Sequence, residues 1–338
     1  MKEKLKFNRN CCKVTATQKI PEDNMIWHYT SADVFVEFMK DDSCLYATHH
    51  QFLNDADEVN YGFQLCMKIL RQDQHLHCYS DDVEKELGTS DVFLCCFSKQ
   101  ADSLYQWRSY TPAGGFSIGF SKKEFEKVLE DSWLNEYSQQ WQVFGFYPDG
   151  KENAVAITLT EAEQKFIKSN FDDDRIFNNF YTSGLTICEY ELAKQKQEFE
   201  GFLQREYERE SQSAGIYNDA PVCSVHNPGE SKKDYHHKHM IVNSIKDNSV
   251  KFKNPSFAFE EEVRIVYQSD GFLNKRLVYI GGKPRIPTHI RDVRNLIRGV
   301  YVSPHGNRAR NRKLAEMFRD KYDLNFEIKE SNSSFIGD

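Results

Sequence analysis

The sequence predicts an α+β fold: a mixed, mainly antiparallel sheet with a helical insertion near its middle and a C-terminal α/β segment. Three observations carry this expectation. Short apolar stretches of strand character alternate with amphipathic stretches of helical spacing from Met25 to Phe120. The same alternation returns from Leu277 to Lys329. Between them, residues from about 160 to 211 are heavily charged and helical in pattern.

The elements follow in order. Residues 1–24 read as a leader, basic at its start but without the apolar core of a signal peptide. Met25 to Tyr29 read as a strand. Thr30 or Ser31 is placed to cap a helix whose Val34, Phe35, Phe38 and Met39 share one face. Cys44 to Thr48 form a second strand. Val59, Phe63, Cys66, Met67 and Leu70 make the apolar stripe of a further helix. Asp91–Ser98 and Phe116–Phe120 are strands, and Ser121-Lys122-Lys123-Glu124 is a capping box opening a helix. Trp141–Tyr147 is another strand, and 211–235 reads as a loop. The end predicts a strand at Leu277–Ile280, a helix at Ile290–Ile297, a strand at Gly299–Ser303, a helix at Arg308–Tyr322 and a strand at Asn325–Lys329. The expected division is 1–24, 25–150, an insertion at 151–245, and 246–338.

Composition narrows the class. With 39% hydrophobic and 14% aromatic residues the chain can bury a core and is not disordered. The longest apolar run, Val92–Phe97, is far below the ~20 residues of a membrane helix, so a cytoplasmic protein without membrane contact is expected. Nine cysteines, none in C-x-x-C spacing, give no support to a zinc ribbon. Charge is uneven. Thirteen Lys and Arg against three acids make 275–321 +10, leaving −17 on the remainder of a chain whose net charge is −7. That segment is either a solvated face or a surface for a nucleic-acid or protein partner.

Several residues are candidates for chemistry. Glu260, Glu262 and Arg264 alternate, so a strand would set them on one face with Val263 and Ile265 toward the core. They are a solvated strand face, an Arg that pins a carboxylate, or carboxylates that stabilise developing positive charge or orient a sugar hydroxyl. His28 closes the first strand, as a hydrogen-bonded rim residue or as a ligand contact. Trp107, Arg108 and Tyr110 either frame a flat ring or pack in a core. Asp55 and Glu58 share a helical face, which suits a cap or a metal. His236-His237-Lys238-His239 is a metal-like tract without a companion ligand at a recognised spacing, so no metal is assigned.

In this order the motifs resemble a bacterial family known only as a domain of unknown function, number 2971. They are His28-Tyr29-Thr30-Ser31, Phe52-Leu53-Asn54-Asp55-Ala56-Asp57-Glu58, Cys96-Phe97-Ser98, Trp107-Arg108-Ser109-Tyr110, Gly115–Phe120, Glu260-Glu261-Glu262-Val263-Arg264 and Val300–Pro304. The strand–histidine–helix–strand opening and the late E-x-E are also similar, more distantly, to histidine-type ADP-ribosyltransferases. That resemblance implies an ADP-ribosyltransferase-like sheet and NAD as co-substrate. It makes His28 the ribose anchor, with Tyr29, Thr30, Ser98, Trp107, Arg108 and Tyr110 around the cofactor. Glu262 becomes the catalytic carboxylate, assisted by Glu260 and Arg264. The expected role is a toxin or antiviral defence effector that modifies nucleic acid or protein. The alternatives are a metal-dependent nuclease using Asp55, Glu58, Glu260 and a histidine, and a non-catalytic nucleotide- or nucleic-acid-binding module.

Overall fold

The computed structural model describes residues 24–54, 57, 59–87, 91–129, 142–146, 152–156, 181–182, 185–212, 232–269 and 277–333. The chain begins β1 (Met25–Ser31), α1 (Ala32–Phe38), β2 (Cys44–His49), α2 (Asn60–Gln72), α3 (Ser80–Leu87), β3 (Asp91–Ser98), α4 (Leu104–Tyr110) and β4 (Gly115–Ser121). Helix α5 (122–129) follows. Then come β5 (Gln142–Phe146), β6 (Glu152–Ala156), β7 (Tyr181–Thr182), β8 (Thr186–Ile187), α6 (Leu192–Gln212) and α7 (Lys232–Lys251). The chain closes with β9 (Glu262–Ser269), β10 (Val278–Ile280), β11 (Lys283–Arg291), β12 (Ile297–Val302), α8 (Arg308–Lys321) and β13 (Glu327–Glu330).

The fold is α+β, and eleven strands form one sheet. Its main path runs β10-β11-β2-β3-β1-β4-β12-β13, with β9 branching from β3 and carrying β7 and β8. Pairing is antiparallel except β12 with β13, and β5–β6 is a separate hairpin. Helix starts follow the side chains the sequence offers. Ser31 Oγ accepts from Val34 N, Ser121 Oγ from Glu124 N, and Asn307 Oδ1 from Arg310 N.

Strand alternation sorts the side chains onto two buried faces. On one face Ile26, Phe97, Ile118, Val263 and Ile265 pack with Phe35 and Phe38 of α1, and with Phe125 and Ala315. On the other, Trp27, Tyr29 and Tyr301 pack with Trp107 of α4, and Leu94 and Val266 pack with Val59 and Val250. These are called the α1 face and the α4 face below. Helices α2, α3, α6 and α7 share a further apolar cluster through Leu70, Val83, Phe199 and Ile245.

Glycine makes room for the α4 face. Trp27 lies across Gly119 of β4 and Gly299 of β12, and a Cβ at Gly119 would sit 2.5 Å from the indole Cζ3. Gly119→Ala therefore has to displace a ring that is 4% exposed. The expected cost is about 1–3 kcal/mol, read as a lowered urea midpoint with an unchanged slope. An unchanged midpoint would contradict this packing.

Four expectations are corrected. Ile290–Ile297 is not a helix. Strand β11 runs to Arg291 against Cys44, Asp292 turns at φ +50°, and only a 3₁₀ turn, Val293–Leu296, follows. Glu260 ends a 3₁₀ turn (Pro255–Glu260), and Glu261 at φ +45° separates it from the strand. The tract 236–239 lies within α7 rather than in a loop. Within the charged stretch, Tyr181–Thr182 and Thr186–Ile187 are short strands on β9, since β9 has an edge to offer. Asp55 and Glu58, most of the expected helical stretch at 160–180, and most of the expected loop at 211–235 lie outside the described residues. Among the described residues no helix is long and apolar enough to cross a membrane.

Candidate functional site: a buried ion cluster under exposed aromatic rings

The site begins where β3 and β9 pair. Ser98 faces Glu262 and Cys96 faces Arg264 across the ladder. Glu262 and Arg264 alternate with Val263 and Ile265, which belong to the α1-face core, so both charged side chains enter the α4 face. There they meet Lys253, which follows α7.

Lys253 Nζ bonds Glu260 Oε2 and lies 2.5 Å from Glu262 Oε2. Arg264 Nη2 donates to the same Glu262 oxygen at 2.9 Å, and its Nη1 donates to the Val250 carbonyl at 2.8 Å. All four residues are at most 5% exposed. Two cations and two carboxylates thus balance in the interior. Glu260 reaches this group from the turn before the strand, not from the strand face.

The surrounding hydrogen bonds fix the group. Gln195 Nε2 donates to the Lys253 and Glu189 carbonyls, and Tyr61 Oη donates to Gln195 Oε1 at 3.0 Å. Ser98 Oγ donates to the Glu260 carbonyl at 2.7 Å. The Glu262 amide donates to Tyr190 Oη at 2.9 Å. Ser98 is therefore a positioning residue for Glu260, placed by strand register.

Burial opposes a charge on Glu262, but Arg264 and Lys253 outweigh it and hold the carboxyl well below the usual range. A carboxylate held ionised in this way is an electrostatic group, not a proton carrier at neutral pH. Its stabilising contribution is full above the unfolded-state value of 4.5 and is lost as pH falls toward about 2. Urea unfolding of the wild type is expected to weaken from pH 5 to pH 3 more steeply than that of Glu262→Gln. Parallel pH profiles would contradict the ion-paired state.

Aromatic rings border the cluster. The Tyr110 hydroxyl lies among buried groups, and burial, then Glu262, Cys96 and Glu260, push its pKa well up. Yet the residue is 41% exposed overall, so the ring reaches solvent while the hydroxyl points inward. Burial also raises Tyr105, helped by a hydrogen bond to Glu260. Its ring meets Phe259 edge-on at 4.2 Å, and Phe259 is 44% exposed. Lys253 Nζ lies 5.4 Å from the centre of the Phe257 ring. Solvent-facing rings thus adjoin a charged, ordered interior.

The other candidates divide between the faces. Trp107 is fully buried, edge-on to Tyr29 at 4.7 Å, and its Nε1 donates to Asp102 Oδ1 at 2.6 Å. Tyr29 is buried too. Its hydroxyl donates to the Gln100 carbonyl and accepts from Ser103 N. Both residues build the support of α4 rather than a surface for a ring. Arg108 is exposed. Thr30 is buried on β1, opposite Phe116 of β4.

His28 does not join the carboxylates. Its ring lies on the α1 face, 6.0 Å from Phe38 and 5.6 Å from Phe97. The ladder explains why it is there. One edge of β3 is filled by β9, while its other edge is met by β2 at Phe93 and Leu94 and by β1 only at Ser98. The Cys96 carbonyl between them accepts from His28 Nδ1 at 3.0 Å. Burial holds the ring below its ordinary pKa, which keeps it neutral, and the carbonyl selects the Nδ1–H tautomer. The shared groove expected for His28 and Glu262 is therefore corrected: the sheet separates them.

Sequence reasoning missed Lys253, Tyr105 and Tyr190. Nothing local marks Lys253; its role appears only when two buried carboxylates need a cation. Among the described residues no group of three or more His, Cys, Asp or Glu could hold a metal ion.

Comparison with curated proteins and with solved structures gives no match. Residues 106–265 match the family model described as Protein of unknown function (DUF2971), a span that takes in Tyr110, Lys253, Glu260, Glu262 and Arg264 and leaves out His28.

Proposed function

We propose that the α4 face binds a nucleotide of the NAD class and that the protein cleaves its nicotinamide–ribose bond there, as an ADP-ribosyltransferase-like enzyme. One observation carries this reading: the exposed rings of Tyr110 and Phe259, with the half-buried ring of Tyr105 between Phe259 and Glu260, adjoin Glu260 and the Lys253–Glu262–Arg264 group. Such rings suit a flat base or nicotinamide. Buried ion pairs are seldom more stabilising than apolar residues of the same shape, so four ionisable groups in one interior site favour a chemical role.

In this reading Glu260 is the carboxylate beside the substrate. Glycosidic cleavage builds positive charge on the ribose, and a fixed carboxylate stabilises it. Glu262 already faces two cations, so its part is to hold Lys253 and Arg264 in place. His28 has a structural role and takes no part. The acceptor is a nucleic acid or a protein.

The test is nicotinamide release from NAD by the pure protein, with and without candidate acceptors. Release is expected from the wild type and a fall of 100-fold or more in folded Glu260→Gln, on the order seen when a transition-state charge loses its partner. Undiminished release by Glu260→Gln would overturn the assignment. A second reading is favoured by the full compensation of Glu262: the face binds the nucleotide without cleaving it. Saturable NAD binding without nicotinamide release would select it.

A further inference from the structure

The basic C-terminal segment does not carry its charge evenly once folded. On α8, Arg312 pairs with Glu316 and Glu330, Lys313 with Glu316, and Arg319 with Asp320. Arg294 and Arg298 pair with Asp41 and Glu124. The hairpin β10–β11 is different. Residues 277–291 contain Lys283, Arg285 and Arg291 and no Asp or Glu. None of these three cations has a carboxylate partner among the described residues. Ile280 faces Lys283 and Val278 faces Arg285 across the hairpin, so the two cations share one face. Burial, and then repulsion from Arg285, lower the Lys283 pKa. Arg285 Nε is out of solvent and makes no hydrogen bond. Two like charges held together without an anion suit one supplied from outside.

The same hairpin is the end of the sheet path, and among the described residues no strand pairs with the outer edge of β10. Its opposite face carries Tyr279, 75% exposed, with Leu277 at 46% beside it. A chain lying along the edge meets cations on one side and an aromatic ring on the other. That pairing suits a single-stranded nucleic acid: phosphates take the cations and a base stacks on the ring. A duplex keeps its bases stacked on one another and has none to offer Tyr279.

We infer that the β10–β11 hairpin is a docking edge for single-stranded nucleic acid, through Lys283, Arg285, Arg291 and Tyr279. The inference stands apart from the reading of the α4 face and survives if NAD is not a substrate.

The test is fluorescence anisotropy of the full-length protein with a labelled 20-nucleotide poly-dT strand, across salt. Three phosphate contacts predict a log–log salt slope of about −2, or roughly a 20-fold loss of affinity from 50 to 200 mM salt. Lys283→Gln with Arg291→Gln should bring the slope to about −0.7. Tyr279→Ala should weaken binding roughly tenfold with the slope unchanged. Arg312→Gln with Arg319→Gln on α8 serves as control and should change little. Arg285→Gln is a further variant, used where circular dichroism shows it folded. No binding at 50 mM salt, equal loss in the α8 control, or equal affinity for poly-glutamate would each overturn the inference.

Discussion

Lys253→Met is expected to destabilise the protein by about 3–5 kcal/mol, the usual consequence of removing one partner from a buried ion group. Lys253 bonds both Glu260 and Glu262, and all three are nearly inaccessible to water. Without it, Glu260 loses its ion pair in the interior, while Glu262 keeps Arg264. Glu260 must then take up a proton or drag its turn into solvent. The cost is a penalty for the charge left behind, not the worth of a salt bridge. A quadruple variant, Lys253→Met, Glu260→Gln, Glu262→Gln and Arg264→Met, should therefore recover most of the loss, because no unpaired charge remains. Urea unfolding of the two variants beside the wild type checks both statements. A Lys253→Met protein within 1 kcal/mol of the wild type would mean that the cluster is not the closed group described.

Trp107→Ala is expected to cost about 3–5 kcal/mol, the range for emptying a large aromatic site in a core. The indole fills the space between α4 and β1, against Tyr29, and its Nε1–H bonds Asp102. Asp102 also accepts from Ser331 Oγ and from the Asn332 amide, so the C-terminal residues are tied to the same point. Trp107→Phe keeps most of the ring but drops the donor, and should cost less. Thermal unfolding ranks the two, with the alanine variant melting well below the phenylalanine variant. Equal melting temperatures would show that the hydrogen bond, rather than the filled volume, holds α4 down.

These two residues show what was legible in the sequence. The strands around the site were, because β1, β3 and β4 are short runs of aromatic and β-branched residues with polar ends, and pleat alternation needs no partner to be read. The E-x-E-x-R spacing correctly set Glu262 and Arg264 on one face. Glu260 failed that rule because Glu261 takes a left-handed conformation, which no neighbouring glycine announced. Trp107 and Tyr110, three apart on one helix, went to opposite fates: one is buried against Tyr29 and the other reaches solvent. That depends on how α4 sits on the sheet, which spacing along the chain does not contain. For His28 the sequence left two readings open, and the structure shows the hydrogen-bonded one. The expected strand end at Tyr29 is passed, since β1 runs to Ser31 and places His28 mid-strand, where it fills a gap at Cys96 that only strand order creates.

Helix Ile290–Ile297 failed on tertiary grounds. Its Ile-Arg-Asp-Val run has apolar residues three apart, which suits a helix turn. But Ile290 is drawn into the α1-face core and Arg291 pairs with Cys44, so tertiary packing overrides the spacing.

The central claim is that ligand chemistry belongs to the α4 face and not to the face that holds His28. Calorimetric titration of NAD into wild type, folded Tyr110→Ala and folded His28→Gln tests it most directly. Glutamine at 28 offers an N–H to the Cys96 carbonyl, so the fold has a substitute donor. The account predicts that Tyr110→Ala loses binding roughly tenfold or more, as stacking losses do, while His28→Gln binds as the wild type. Lost binding in His28→Gln with normal binding in Tyr110→Ala would contradict it.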